Sequence, residues 1–196
     1  MPHDQATFGN VELSSAGPLL LPDQAGAHPH LVRGGGKNGN LYVVNRDDMG
    51  RFNSASDSQI VQSLVDIFPN GCPESFWTAP VVFQDVVYFG LHNDRAQAFS
   101  LTNGLRSTAP SSQTSLVYDF PGAMLSVSAN GSANAILWSG QRTAAGSGFL
   151  RAYDAADLSK ALYSGALPDV LTKFTTPTVA VYVATRIQLA VFGLLP

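Results

Sequence analysis

Apolar residues recur along this chain in short β-branched and aromatic bursts such as "LYVVN" and "VVYFG", separated by Gly, Asn, Asp, Ser and Pro. Scarcely any stretch sustains the 3.6-residue spacing of an amphipathic helix, so the pattern predicts an all-β chain. Several of the bursts are apolar at nearly every position instead of strictly alternating. That is the signature of strands covered on both faces.

Aligning the bursts exposes a repeat. Each of four units begins with a short apolar strand (Leu19–Leu21, Val81–Phe83, Leu125–Val127, Thr178–Ala180), often just after a proline. A second strand follows a polar turn (Leu31–Val32, Val86–Phe89, Ala135–Trp138, Val181–Ala184), then a third (Leu41–Asn45, Ala96–Leu101, Leu150–Tyr153, Leu189–Phe192). A weaker fourth strand is placed in the first three units at Ile60–Ser63, Leu116–Tyr118 and Ala161–Tyr163. Four strands per unit is the make-up of a propeller blade, which predicts one domain over residues 1–196: a β-propeller of about four to five four-stranded blades. The last unit lacks its fourth strand, while Val11–Leu13 precedes the first unit unassigned. Closure by terminal strand exchange, with Val11–Leu13 beside Leu189–Phe192, would remove both free edges. Exchange between two copies would also cover the end faces of a short stack, so a homodimer is expected.

The densest chemistry lies in "AHPHLVRGGGKNGNLYVVNRDDMG", Ala27 to Gly50. Gly34, Gly35, Gly36 and Gly39 lack the spacing of a phosphate loop and lead into a strand where such a loop needs a helix; Asn38-Gly39 instead suits a hairpin turn. His28 and His30 alternate before a strand, as two zinc ligands would, but His3 and His92 are isolated and no third ligand emerges from spacing. Asn45, Asp47 and Asp48 at a strand exit present hard oxygens for calcium, or the side chains of a blade-end Asx turn.

Composition removes some partners. Only 13% of residues are charged and the formal net charge is −3, so no basic field exists to collect nucleic acid or anionic lipid. No apolar run approaches the ~20 residues that span a bilayer, and MPHDQATFGN has neither the positive nor the apolar region of a secretory signal. The compartment stays open. The single Cys72 has no His or basic neighbour in sequence to activate it and reads as a free, non-catalytic thiol.

"GNLYVVNRDDMG", "DVVYFGLHNDRAQAFSLTNG" and "GFLRAYDAADL" resemble the repeats of the pyrroloquinoline-quinone-like β-propeller family, and the ending "TTPTVAVYVATRIQLAVFGLLP" is similar to the last blade of its soil-bacterial members. The resemblance implies the C-terminal portion of a longer propeller. It also implies a calcium-dependent hydrolase of N-acylhomoserine lactones, a quorum-quenching activity, with calcium on Asn45, Asp47 and Asp48 and catalytic residues unassigned. The family's quinone dehydrogenases carry a tryptophan docking motif, a vicinal disulfide and an acidic calcium site. Two tryptophans, Trp77 and Trp138, and one cysteine do not supply that set, so pyrroloquinoline quinone is not expected. Neither a GxSxG elbow nor an HxHxDH set is present. The alternative is a non-catalytic propeller that binds a small-molecule ligand or protein partner, with Arg46, Phe52, Phe76 and Trp77 as loop anchors.

Overall fold

The computed structural model describes residues 16–37, 39–65, 76–178 and 182–191, which contain strands, turns and no helix. Its first sheet takes β1 (Leu19–Leu20), β2 (Leu31–Gly35), β3 (Leu41–Asn45) and β4 (Gln62–Leu64), in chain order and antiparallel throughout. The second contains β5 (Val81–Phe83), β6 (Val86–Gly90), β7 (Asp94–Thr102) and β8 (Leu105–Arg106), with β9 (Ser112–Tyr118) also pairing with β7. In the third, β10 (Met124–Asn130), β11 (Ala133–Arg142), β12 (Gly148–Asp154) and β13 (Asp157–Ala166) again follow chain order. A hairpin of β14 (Tyr182–Ala184) and β15 (Leu189–Val191) ends the described chain.

The strands expected for the first three units all form, several of them longer than expected. In the third sheet short connections explain the simple order, since an antiparallel neighbour can be reached by a tight turn, whereas longer segments join β1 to β2 and β3 to β4 in the first. In the turn from β2 to β3, Gly39 takes φ 76° and its N–H reaches the Gly36 carbonyl at 3.0 Å, so the glycines serve the hairpin. Additional to the repeat is β8. The fourth strand of the first unit runs later, Gln62–Leu64 in place of Ile60–Ser63. Val11–Leu13, Cys72 and Asn38 lie outside the described residues.

Registered partners across an antiparallel pair share a face, and the alternation along each strand therefore divides the core into layers. Leu31, Leu41 and Val43 leave one face of the first sheet and meet Val87, Phe89, Phe99 and Leu101 of the second. From the other face of the second sheet, Tyr88, Ala96, Ala98 and Tyr118 pack on Leu125, Leu137 and Tyr153 of the third. The third sheet's far face places Met124 and Leu150 against Leu171 and Val183. The sheets thus pack face to face in sequence order. This is why "VVYFG" is apolar at every position: its residues alternate between two different interfaces.

Polar groups tie the second layer together. Tyr88 Oη donates to the Ala155 carbonyl at 2.9 Å, Ser139 Oγ donates to Tyr118 Oη at 3.0 Å, and the Tyr118 and Tyr153 hydroxyls lie 3.0 Å apart. Burial, with Asp154 adding to it, pushes the Tyr88 phenol up to about 12, and burial with Tyr153 nearby raises Tyr118 as well. A folded-state pKa above the unfolded value of 10.0 gives Tyr88 a stabilising contribution that is intact below pH 10.0 and lost as pH rises toward about 12. Tyr88→Phe is therefore expected to fall in stability less steeply across that window, while losing about 1–2 kcal/mol at neutral pH for the missing hydrogen bond. Urea melts of both chains at neutral and alkaline pH check this; parallel pH profiles would contradict it.

Candidate functional site

At the exit of β3 the three residues singled out for calcium fold into consecutive turns. Asn45 Oδ1 accepts the Asp47 N–H at 3.1 Å and Asp48 Oδ1 accepts the Gly50 N–H at 2.9 Å, each a side-chain mimic of a backbone turn. Asp47 Oδ2 lies 2.8 Å from His30 Nδ1. Seventeen positions separate His30 from Asp47, yet the β2–β3 register joins Leu31 to Asn45, and the Arg46 N–H continues that ladder to the His30 carbonyl at 2.8 Å. Asp23 completes the group, 3.9 Å from His30 Nε2 and 3.7 Å from an Arg46 guanidinium nitrogen. Three of the turn's side-chain oxygens thus already serve local partners, so calcium would have to draw on those that remain. Among the described residues no three His, Cys, Asp or Glu side chains gather as a metal group. His28 is exposed and takes no part in the cluster, and His92 lies far along the chain against Phe120.

Beside this cluster, the outer face of the first sheet carries a cleft of about 580 Å³. Its floor is Val32, Gly34, Tyr42 and Val44, two registered pairs that project away from the second sheet. The connection from β3 to β4 supplies the wall, with Met49, Phe52 and Ile60. Phe52 is 75% exposed and Met49 56%, so apolar surface stands in water at the rim. The size falls within the range of small-molecule sites, and its lining is predominantly apolar. An ion-paired patch adjoins it: His30 continues the alternation of Val32 and Gly34, and Arg46 that of Val44 and Tyr42.

The anchor residues expected in loops separate here. Phe52 stands at the cleft, and Arg46 is held by Asp23. Phe76 is instead a core residue, 2% exposed and edge-on to Phe89 at 5.6 Å, because its segment folds under the second sheet. Trp77 is half-buried, 4.9 Å from the Phe120 ring with the Lys37 ammonium 4.3 Å from its own. The sequence signal for the cleft was the apolar alternation Val32, Tyr42, Val44 on strands already expected; the residues that wall it come from a segment with no periodicity.

Two arginines form a separate feature between the first and second sheets. Arg33 is 1% exposed and Arg106 6%. Burial, with Arg106 adding to it, holds the Arg33 guanidinium down to about 10, and burial lowers Arg106 as well.

No family model matches the chain, and no curated protein matches it. Among solved structures the chain is similar to the computationally designed Ika4 protein, with a TM-score of 0.53 and 14% identity over 83% of this chain and 86% of that one. At that identity the likeness concerns the fold alone.

Proposed function

We propose that this chain is a small-molecule-binding β-propeller of about four to five four-stranded blades, whose ligand is an amphipathic molecule with an apolar tail. The cleft on the outer face of the first sheet carries the reading, and the stacking of three sheets in chain order supports the architecture. Closure through Val11–Leu13 beside β15, within one chain or in a homodimer, belongs to the same proposal. N-acylhomoserine lactones of increasing tail length are suitable probes, because each added methylene buried in the cleft gains up to about 0.8 kcal/mol. Calorimetry should show affinity rising with tail length. Val44→Arg, which places a charge on the apolar floor, should weaken binding by about tenfold or more. Affinity independent of tail length, or unchanged by Val44→Arg, would remove the cleft as the site.

A second reading, hydrolysis of those lactones, has one observation in its favour: the His30–Asp47 pair beside the cleft. With Asp47 accepting from Nδ1, His30 Nε2 can take a proton from water that attacks the lactone carbonyl. The ring C–O bond then breaks, and the proton passes to the departing alkoxide, leaving an N-acylhomoserine. Calcium on Asn45, Asp47 and Asp48 would polarise the carbonyl when bound. Ring opening followed by titration of the released acid should vanish in His30→Asn. Sensitivity to chelator and to Asp48→Ala tests the calcium role. Tail-dependent binding without turnover leaves the first reading standing alone.

A further inference from the structure

Arg33 and Arg106 are unusual for what they lack. Nε, Nη1 and Nη2 of Arg33 and Nε and Nη1 of Arg106 are buried with no hydrogen-bond partner, and among the described residues no carboxylate forms an ion pair with either. A buried guanidinium without a counter-charge costs several kcal/mol, and here two like charges repel across the same layer. Such groups in a folded chain call for an explanation, and a bound ion is one that also cancels the charge.

The surroundings show how the two are held. Arg33 shares a row across the first sheet with Leu19, Val43 and Gln62, its registered neighbours. Gln62 reaches the facing sheet, accepting the Arg106 N–H at 3.3 Å and donating to the Arg106 carbonyl at 3.5 Å. The Arg33 guanidinium carbon sits 5.8 Å from the Phe89 ring centre and that of Arg106 4.0 Å from Phe99, while the two rings meet edge to face at 5.7 Å. Aromatic faces stabilise guanidinium groups but satisfy none of their N–H donors. Eight donor hydrogens on two planar forks remain to be satisfied, five on Arg33 and three on Arg106, and arginine forks match oxyanions bidentately.

We propose that Arg33 and Arg106 form an anion site between the first and second sheets, taking a small oxyanion: inorganic phosphate or a carboxylate. Arg33 also borders the outer cleft, but its side chain and that of Val43 belong to the opposite face of the sheet from Val32 and Val44. The two readings are told apart by their probes: tail-dependent lactone binding reports on the cleft, and phosphate-dependent melting reports on the arginines.

Thermal melting of the full chain in sodium phosphate, against sodium chloride at matched ionic strength, tests the proposal, with sodium acetate as a third arm. Phosphate should raise Tm in proportion to the logarithm of its concentration above Kd, by about 5–10 °C at a hundredfold excess. A comparable rise in acetate assigns carboxylates to the site too; a rise in phosphate alone restricts it to inorganic oxyanions. Arg33→Met, an apolar replacement that removes the unpaired charge, should melt at or above the wild type without phosphate and show no phosphate response. Should that variant not fold, the arginine Nε–H resonances of the wild-type chain give the same reading: saturable movement with phosphate supports the site. An equal phosphate rise in Arg33→Met, no rise in the wild type, or immobile resonances overturn it.

Discussion

Gly90→Ala is expected to lose more than about 4 kcal/mol, most of what a domain this size has to spare, and to accumulate as unfolded or insoluble protein. A methyl group on Gly90 would overlap the carbonyl oxygen of Ala123 and lie 2.8 Å from its carbonyl carbon and 2.9 Å from its Cβ. Neither partner yields cheaply. Gly90 is paired with Ala96 in the second sheet and its carbonyl accepts from Thr78 Oγ1 at 2.7 Å. Ala123 is fully buried at the start of the third sheet, and Gly122 beside it takes φ 102°, a region that favours glycine, pressed against the Gly90 carbonyl. The two sheets approach here backbone to backbone, so the overlap can be relieved only by parting them. Gly34→Ala is the control: nothing lies within 4 Å of its added methyl, and it should stay within about 0.5 kcal/mol of the wild type. Chemical denaturation of the soluble fractions decides it, and a Gly90→Ala chain that melts with the wild type would mean that this approach is looser than described.

Nothing in "VVYFGLHN" announces that contact. As a sequence, Gly90 reads as the end of an apolar run, and the strand Val86–Phe89 follows from that run alone. Apolar density shows that both faces are covered but not what covers them, so the positions where two backbones touch stay invisible. The same limit explains the arginines. Arg33 in "HLVRGGG" and Arg106 in "TNGLRST" look like solvated residues next to turns. Only the register that sets Arg33 opposite Val43, and the facing of two sheets, reveals that both point inward. Candidate chemistry was legible where it was local. Asn45 and Asp48 form the Asx turns that their positions at a strand exit allow, whereas the His30–Asp47 pair depends on a strand register that spacing does not encode. Phe76 was misplaced for a related reason: a lone aromatic in an aperiodic segment carries no sign of which sheet it will fold beneath.

Phe89→Ala is expected to cost about 3–5 kcal/mol, the usual range for removing a buried aromatic ring. Phe89 is 1% exposed in the layer that joins the first and second sheets. Its ring is edge-on to Phe76 at 5.6 Å and to Phe99 at 5.7 Å, so deletion leaves a ring-sized void between two aromatics that strand pairing holds in place. Val87 and Phe99 are registered partners, and Phe89 faces Gln97 two pairs along on the same face, which leaves the neighbours little freedom to collapse inward. The same deletion strips Arg33 of the face it stands over, adding to the cost of its unpaired charge. Phe89→Leu keeps much of the volume and should lose clearly less. Leu189→Ala, at a position 61% exposed on β15, should lose no more than about 0.5 kcal/mol, which separates layer packing from apolar character as such. Guanidinium melts of the three variants give the comparison. A Phe89→Ala loss near that of Leu189→Ala would show that the first two sheets do not depend on this row of rings to hold together.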